Sequence, residues 1–256
     1  MNRYFAIIPA AGSGERFGSD IPKQFLTIDG VSILERSVAP FLQCELIQKV
    51  VVVINEKDLN FFDYSSPATG FQSVSTSPAR EVVNRTLDED VSSSRGEGEH
   101  KKILTAPGGQ TRMASVMNGI MTLQDIASDD DWVLVHDSVR PFLSINDIAK
   151  LINIVGEHPV GGILGVPVKD TLKKINDNGE IVSTVDRTNL WHAFTPQMFR
   201  YGLLKKALIR AQESNISITD EAAALELLGY KPIIVQGNAI NTKITFSEDL
   251  TEFEEV

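Results

Sequence analysis

Only one cysteine, Cys44, occurs in the 256 residues, so an internal disulfide or a Cys-rich metal site is excluded. Four scattered histidines do not make a zinc cluster either. Positive charge is scarce: 24 Lys and Arg stand against 34 Asp and Glu, for a formal charge of −10. That is the wrong sign for broad neutralisation of a polyphosphate backbone, so general nucleic-acid binding is not expected. Long apolar runs are missing too. The N-terminal run from Tyr4 to Ala11 is broken by Pro9 and is too short for a signal-peptide core. Nor does any run reach the roughly 18 apolar residues of a membrane span. No membrane role is expected, and the cysteine usage reads as cytoplasmic.

Hydrophobic residues make up 42% and charged residues 23% of the chain, the balance of an ordinary soluble globular protein. The length predicts a single domain over 1–256 with no room for a second catalytic module. Short apolar β-rich runs alternate with helical patterns, which predicts an open, Rossmann-like, mostly parallel α/β sheet flanked by helices. Strands are predicted at Tyr4–Ala10, Lys49–Ile54, Trp132–His136, Gly162–Val166 and Pro232–Gln236. Their lack of strict polar alternation implies that most are buried on both faces. Helices are predicted at Ser32–Phe41, Ser115–Leu123, Ile145–Val155, Met198–Ser214 and Asp220–Leu228. From about Asn60 to Lys102 the chain is rich in Ser, Gly, Pro and charge, which predicts a mobile insertion. Within 169–187, two strand-like runs flank Asn176-Asp177-Asn178-Gly179, a β-hairpin signal. No internal repeat is visible.

The chemistry-bearing motifs begin directly after the first predicted strand, with Ala10-Ala11-Gly12-Ser13-Gly14-Glu15-Arg16-Phe17-Gly18 and then Pro22-Lys23-Gln24. A Gly-rich turn leaving a strand lets backbone N–H groups approach a phosphate, and Arg16 and Lys23 add positive charge. It is not a Walker A loop, since no Gly-Lys-Ser/Thr follows, and it fits the dinucleotide fingerprint poorly. Further along come Gly108-Gly109-Gln110-Thr111-Arg112-Met113-Ala114-Ser115, His136-Asp137-Ser138-Val139-Arg140-Pro141 and Val185-Asp186-Arg187. The series continues with Trp191-His192-Ala193-Phe194-Thr195-Pro196-Gln197, Thr219-Asp220-Glu221-Ala222 and Asn241-Thr242-Lys243-Ile244-Thr245.

In order and spacing these motifs resemble the 2-C-methyl-D-erythritol 4-phosphate cytidylyltransferases, a nucleotidyltransferase family of the non-mevalonate isoprenoid pathway. The resemblance runs nearly end to end, apart from the insertion. It implies transfer of CMP from CTP to methylerythritol phosphate with release of pyrophosphate. The nucleophile would be an already anionic phosphate, so the site must supply positioning and charge stabilisation rather than a general base.

By resemblance, Arg16, Lys23 and Lys243 serve the phosphates. Gly12, Ser13 and Gly14 belong to the nucleotide loop, and Ala10, Ala11, Gly109, Gln110 and Ser115 match the cytosine-contacting positions. Gln110 departs from the family's usual Asp: cytosine selection survives if the backbone makes that contact. Ser115 also reads as a helix N-cap. Asp137, just past a strand's carboxyl end where ligands of such sheets collect, is suited to nucleotide binding and to holding Mg²⁺, with Asn241 as a second oxygen ligand. Arg140, Thr171, Arg187, Thr195 and Thr219 match the acceptor side. For Arg187 the bland alternative is a surface pair with Asp186. Thr219 and the acids after it also read as a helix start. His136, Trp191, His192 and Cys44 are expected to be packing residues. The resemblance further implies a homodimer whose hairpin arms reach into each other's sites.

Two competing readings remain. Ribitol-5-phosphate cytidylyltransferases share the fold and nucleotide, and His136-Asp137-Ser138-Val139-Arg140-Pro141-Phe142 suits them; Trp191-His192 and Thr219-Asp220-Glu221-Ala222 suit the methylerythritol enzymes better. A non-catalytic nucleotide-binding regulator need not keep Arg16, Lys23, Asp137 and Lys243 together.

Overall fold

The computed structural model describes residues 2–12, 21–62, 102–246 and 248–249. Almost all of the predicted insertion at 60–102 lies outside the described residues, as do Ser13, Gly14 and Arg16. The elements in chain order are β1 (Tyr4–Pro9), β2 (Thr27–Ile28), β3 (Val31–Ser32), α1 (Ile33–Gln43), β4 (Ile47–Ile54), β5 (Ile103–Pro107), α2 (Arg112–Thr122) and β6 (Trp132–Val135). They continue with α3 (Ile145–Val155), β7 (Gly161–Pro167), β8 (Leu172–Ile175), β9 (Ile181–Val185), β10 (Trp191–Arg200), α4 (Tyr201–Glu213), α5 (Glu221–Leu227) and β11 (Ile233–Gln236).

The missing alternation in the central strands has the physical cause expected, burial of both faces, whereas the edge strand β11 exposes Ile234 and Gln236. Ala6 and Ile8 of β1, Val50 and Val52 of β4, and Trp132 and Leu134 of β6 enter the core shared with α1 and α3. Phe5, Ile7, Val51, Val53, Val133 and Val135, the residues between them, enter a second core shared with α2, α4 and α5. Among the described residues these strands form a seven-stranded sheet of order β5-β4-β1-β6-β10-β7-β11, the mostly parallel α/β architecture predicted. From β1 the chain moves outward through β4 and β5, then returns to place β6 on the other side of β1. Strand order thus reverses between β1 and β6, and a crevice opens there at their carboxyl ends.

Two predicted boundaries are corrected, and an edge strand that the sequence pattern does not predict is added. The helix expected from Met198 begins at Tyr201; Met198, Phe199 and Arg200 instead finish β10, which runs antiparallel between β6 and β7. Pro196 masked this strand in the sequence, because proline cannot join a ladder. The register shift between Ala193 and Gln197 accommodates it. Trp191 and His192 therefore belong to that strand and are exposed rather than packed. The added strand is β5, whose burial is only partial and whose sequence lacks a strong apolar pattern. The second corrected boundary is that of α2, which starts at Arg112, capped by Thr111 accepting from the Ala114 N–H, so Ser115 is one turn inside the helix and is not its cap.

β8 and β9 pair only with each other in a two-stranded sheet. The Asn176 side chain accepts the N–H groups of Asn178 and Glu180, and Gly179 takes φ +80°, the turn chemistry that Asn-Gly signalled. Residues 173–193 are exposed throughout, with Ile175, Ile181 and Val182 each more than half exposed.

Two features fix the crevice. Gly119 lets α2 lie directly on β1: a Cβ there would sit 2.6 Å from Ile7 Cγ2 and 3.2 Å from Val53 Cγ2. His136, just past β6, is fully buried. Its Nε2 lies 3.2 Å from the Arg140 carbonyl and its Nδ1 2.9 Å from Thr195 Oγ1. Since a carbonyl only accepts, Nε2 carries the proton and the Thr195 hydroxyl donates to Nδ1. Burial pushes the His136 pKa down to about 4, against the opposing pull of Asp137.

Gly119→Ala is expected to lower stability by roughly 1–3 kcal/mol, because a branched methyl on a buried strand has nowhere to move. An unchanged urea midpoint would show that α2 slides freely on the sheet. For His136 the folded pKa lies below the roughly 6.5 of an unfolded histidine, so the unfolded state binds the extra proton. The stability gained from keeping the ring neutral is complete above that value and is lost as pH falls from about 6.5 towards 4. His136→Gln should flatten this part of the pH dependence, as read from denaturant midpoints between pH 7 and 4.5; the same slope in the variant would assign it to other groups.

Candidate active site

The crevice is built from backbone held at unusually close range. The Ala10 N–H donates to the Val53 carbonyl at 2.7 Å, prolonging the β1–β4 pairing by one residue. The loop then turns away, fixed by two side chains. Buried Gln24 donates from Nε2 to the carbonyls of Ala10 at 2.8 Å and Gly12 at 3.0 Å, and Asn55 donates to Ala11 O at 3.0 Å. Across the crevice stand Gly108 and Gly109. A Cβ on Gly108 would come within 2.3 Å of Ala11 Cβ, and one on Gly109 within 2.9 Å of the Ser115 backbone nitrogen. The Gly109 N–H donates to Ser115 Oγ at 3.0 Å, so Ser115 works by tying this turn to α2.

Between loop and turn lies a cleft of about 400 Å³ whose walls include Ala11, Gly12, Lys23, Gly109, Gln110 and Ser115. Ala10 is buried behind this wall, with its N–H and carbonyl both engaged. Gln110 is exposed. Lys23 is anchored at the rim by donating to the Ile244 carbonyl at 3.2 Å. A second cavity of about 240 Å³ lies alongside, walled in part by Arg140, Thr195, Gln197 and Thr219. Arg112, Asp137 and Lys243 line both spaces, so the partition between the two cavities is an ion cluster.

Asp137 is its centre. Oδ1 accepts from Arg112 Nε at 3.0 Å, and Oδ2 lies 3.0 Å from Lys243 Nζ and 3.4 Å from Arg140 Nε. Burial alone would raise the pKa of Asp137, but the charges of Arg112, Lys243 and Arg140 outweigh it and hold the carboxyl far below its usual range. The carboxylate is therefore ionised at any physiological pH.

Arg112 makes a further, two-pronged bond to Glu221, Nη1 to Oε1 at 2.6 Å and Nη2 to Oε2 at 3.1 Å; Glu221 is fully buried. Burial works against the Arg112 charge, yet Glu221 and Asp137 raise its pKa above that of an ordinary arginine. Arg140 donates to the Asn241 carbonyl at 2.8 Å and lies 4.7 Å above the Phe194 ring. Asn241 is fully buried and donates to the Thr195 carbonyl at 2.8 Å.

The structure thus gathers Ala11, Gly12, Lys23, Gly109, Gln110, Ser115, Asp137, Arg140, Thr195, Thr219 and Lys243 around two adjoining cavities. It does not bring Thr171 or Arg187 there: both are exposed on the hairpin. Arg187 bonds the Lys169 carbonyl, while Asp186 accepts the Thr188 N–H, so the Arg187–Asp186 pair is not formed. Asp220, rather than Thr219, caps α5, accepting the Ala223 N–H at 2.9 Å.

Three residues with evident work were not singled out by sequence reasoning. Gln24 and Arg112 lie inside recognised motifs and Glu221 inside the predicted helix start, but their partners are far along the chain. Charged or amide residues in motifs otherwise made of small residues were the available signal.

The likeness to known proteins agrees with this geometry. The family model for 2-C-methyl-D-erythritol 4-phosphate cytidylyltransferase (IspD) matches residues 4–256. The enzyme of that name from Pseudomonas entomophila strain L48 is 40% identical over 248 residues, covering 96% of this chain and 92% of the relative. That from Vibrio parahaemolyticus is 40% identical over 250 residues, covering 98% and 93%. The crystal structure of the Francisella tularensis enzyme superimposes with a TM-score of 0.74 at 33% identity, covering 98% of both chains. A match across the whole described sheet, including every strand end that walls the two cavities, establishes that the chain belongs to the 2-C-methyl-D-erythritol 4-phosphate cytidylyltransferase family.

Proposed function

We propose that this chain transfers CMP from CTP to 2-C-methyl-D-erythritol 4-phosphate, giving CDP-methylerythritol and pyrophosphate. The observation that carries the reading is the pair of cavities at the reversal point of the sheet, whose walls share Arg112, Asp137 and Lys243. Two polyanionic substrates must meet there, and the partition supplies positive charge where their phosphates converge. CTP occupies the larger cleft, its base against Ala11, Gly109, Gln110 and Ser115 and its phosphates towards Gly12, Lys23 and Lys243. The family likeness adds Ser13, Gly14 and Arg16 to the phosphate loop. The acceptor occupies the smaller cavity, against Arg140, Thr195 and Thr219.

An oxygen of the acceptor phosphate attacks the α-phosphorus in line, a new P–O bond forms, and pyrophosphate leaves with the electrons of the broken bond. No protein base is required, since a phosphate monoester is anionic at neutral pH. Lys23, Arg16 and Lys243 stabilise the charge on the pentavalent centre and the leaving group. A divalent ion, Mg²⁺ in this reading, supplies charge neutralisation to the triphosphate when bound. Asp137 and Asn241 are the residues that would hold such an ion. Asp137 is already ionised, as a metal ligand must be. The buried Asn241 Oδ1 has no hydrogen-bond partner among the described residues, which suits it to a second oxygen ligand.

Thr171 and Arg187 enter through a dimer. The hairpin presents Ile175, Ile181 and Val182 more than half exposed, a surface that a second copy would cover. Exchange of hairpins would carry both residues to the partner's acceptor cavity. The buried free thiol of Cys44 fits a cytoplasmic enzyme. The insertion around 60–102, absent from the motif pattern, is assigned no part in the chemistry.

Pyrophosphate release is expected to require CTP, methylerythritol phosphate and a divalent metal. A higher kcat/KM with ribitol 5-phosphate would transfer the chain to that specificity. For the shared site, Lys23→Ala and Arg187→Ala should each be nearly inactive as homodimers. Mixing them under subunit exchange should restore activity, approaching about half of the wild-type rate per mixed dimer, because one site regains both residues. If exchange is verified by mass and no activity returns, Arg187 acts within its own chain.

A further inference from the structure

We infer that Arg112 is a catalytic residue of this reaction, contacting a non-bridging oxygen of the α-phosphoryl group from the wall the two cavities share, and that Glu221 is its positioning residue. This deepens the proposed function and rests on it. Arg112 belongs to the first turn of α2, and its side chain lines both the nucleotide cleft and the acceptor cavity. The α-phosphorus must lie where the two cavities meet, since the nucleophile approaches it from one and the leaving group departs into the other.

Of the five N–H donors of a guanidinium, three are engaged in the structure: Nε to Asp137, and one each from Nη1 and Nη2 to Glu221. Two donors remain on a side chain that is 30% exposed. Opposite them, Glu221 is fully buried on α5 and grips the fork end-on. It is itself fixed by its helix: Gln197 of β10 bonds the Ala222 N–H through Oε1 and the Asp220 carboxylate through Nε2, each at 2.9 Å.

A buried ion pair that serves only stability can often be replaced, both partners together, by well-packed hydrophobic residues. A carboxylate that grips both Nη atoms of an arginine at a cavity wall sets the plane of that guanidinium before substrate arrives, which is the preorganisation a phosphoryl transition state rewards. Lysine in place of Arg112 keeps the charge, but one ammonium cannot bond Glu221 and Asp137 together and still face the α-phosphate.

The test uses the full chain with CTP and methylerythritol phosphate at constant Mg²⁺. Arg112→Lys keeps a cation opposite Glu221 and preserves the fold. The double variant Arg112→Gln/Glu221→Gln removes both charges without leaving a buried carboxylate unpaired. Both are expected to lose about 10²–10³ in kcat, with CTP affinity measured by calorimetry in the absence of acceptor changed less than about fivefold. The deciding readout is CTP carrying sulfur at one non-bridging α-oxygen, offered as its two diastereomers. An arginine touching one of these oxygens makes the wild type prefer one diastereomer, and that ratio should fall at least about tenfold in both variants.

A merely structural role lowers both diastereomers equally, so an unchanged ratio overturns the inference, as does a kcat within threefold of wild type in either variant. An inactive wild type with both CTP and acceptor present overturns the proposed function itself and the inference with it.

Discussion

A buried negative charge organises this molecule. Asp137 lies at the carboxyl end of β6, and three cations from three separate stretches of chain converge on it: Arg112 from α2, Arg140 from the segment before α3 and Lys243 from beyond β11. Taking a carboxylate out of water costs several kcal/mol unless its partners are well placed, so the fold commits elements far apart in sequence to meeting that demand. In doing so it gathers cations at one point, where their mutual repulsion would otherwise scatter them. Asp137 and Glu221 leave that group with a surplus of positive charge. The site is therefore attractive to phosphate and yet stable when no ligand is bound.

The sheet provides the frame. β1 is flanked on both sides by parallel neighbours and covered on both faces, and the first residues of the loop that leaves it are clamped by Gln24 and Asn55. The glycines opposite are dictated by distance: at Gly108 a methyl group would overlap Ala11. Main-chain atoms on both sides of the cleft are thus held in position by the protein's own contacts.

Much of this was legible in the sequence wherever its cause is local. Apolar runs without alternation announced strands buried on both faces, and Asn176-Asp177-Asn178-Gly179 announced the hairpin, since a turn needs only its own residues. Asp137 and the start of the Gly-rich loop, Ala10 to Gly12, were legible because a strand's carboxyl end carries its geometry with it. What escaped detection depends on distant partners. The pairing of Arg112 with Glu221 spans 109 positions and leaves no periodic trace. β10 escaped because it interrupts its ladder with Pro196 and buries Thr195 and Gln197, whose polarity is satisfied by His136 and by the start of α5. Ser115 reads as a cap because Ser and Thr are both suited to that position, and only the backbone geometry assigns it to Thr111.

The cation cluster sits within a chain whose formal charge is −10. At low ionic strength the net charge disfavours the approach of CTP, whereas within about a Debye length, roughly 8 Å at physiological ionic strength, the cluster's own positive charge dominates. Dissolved salt thus has opposite effects at the two ranges. It screens the distant repulsion that slows encounter, while the sheltered ion cluster, partly closed off from solvent, keeps its hold on an anion that has already entered. The arrangement of charge at the cleft, rather than the sign of the whole chain, therefore governs how an anion is received there.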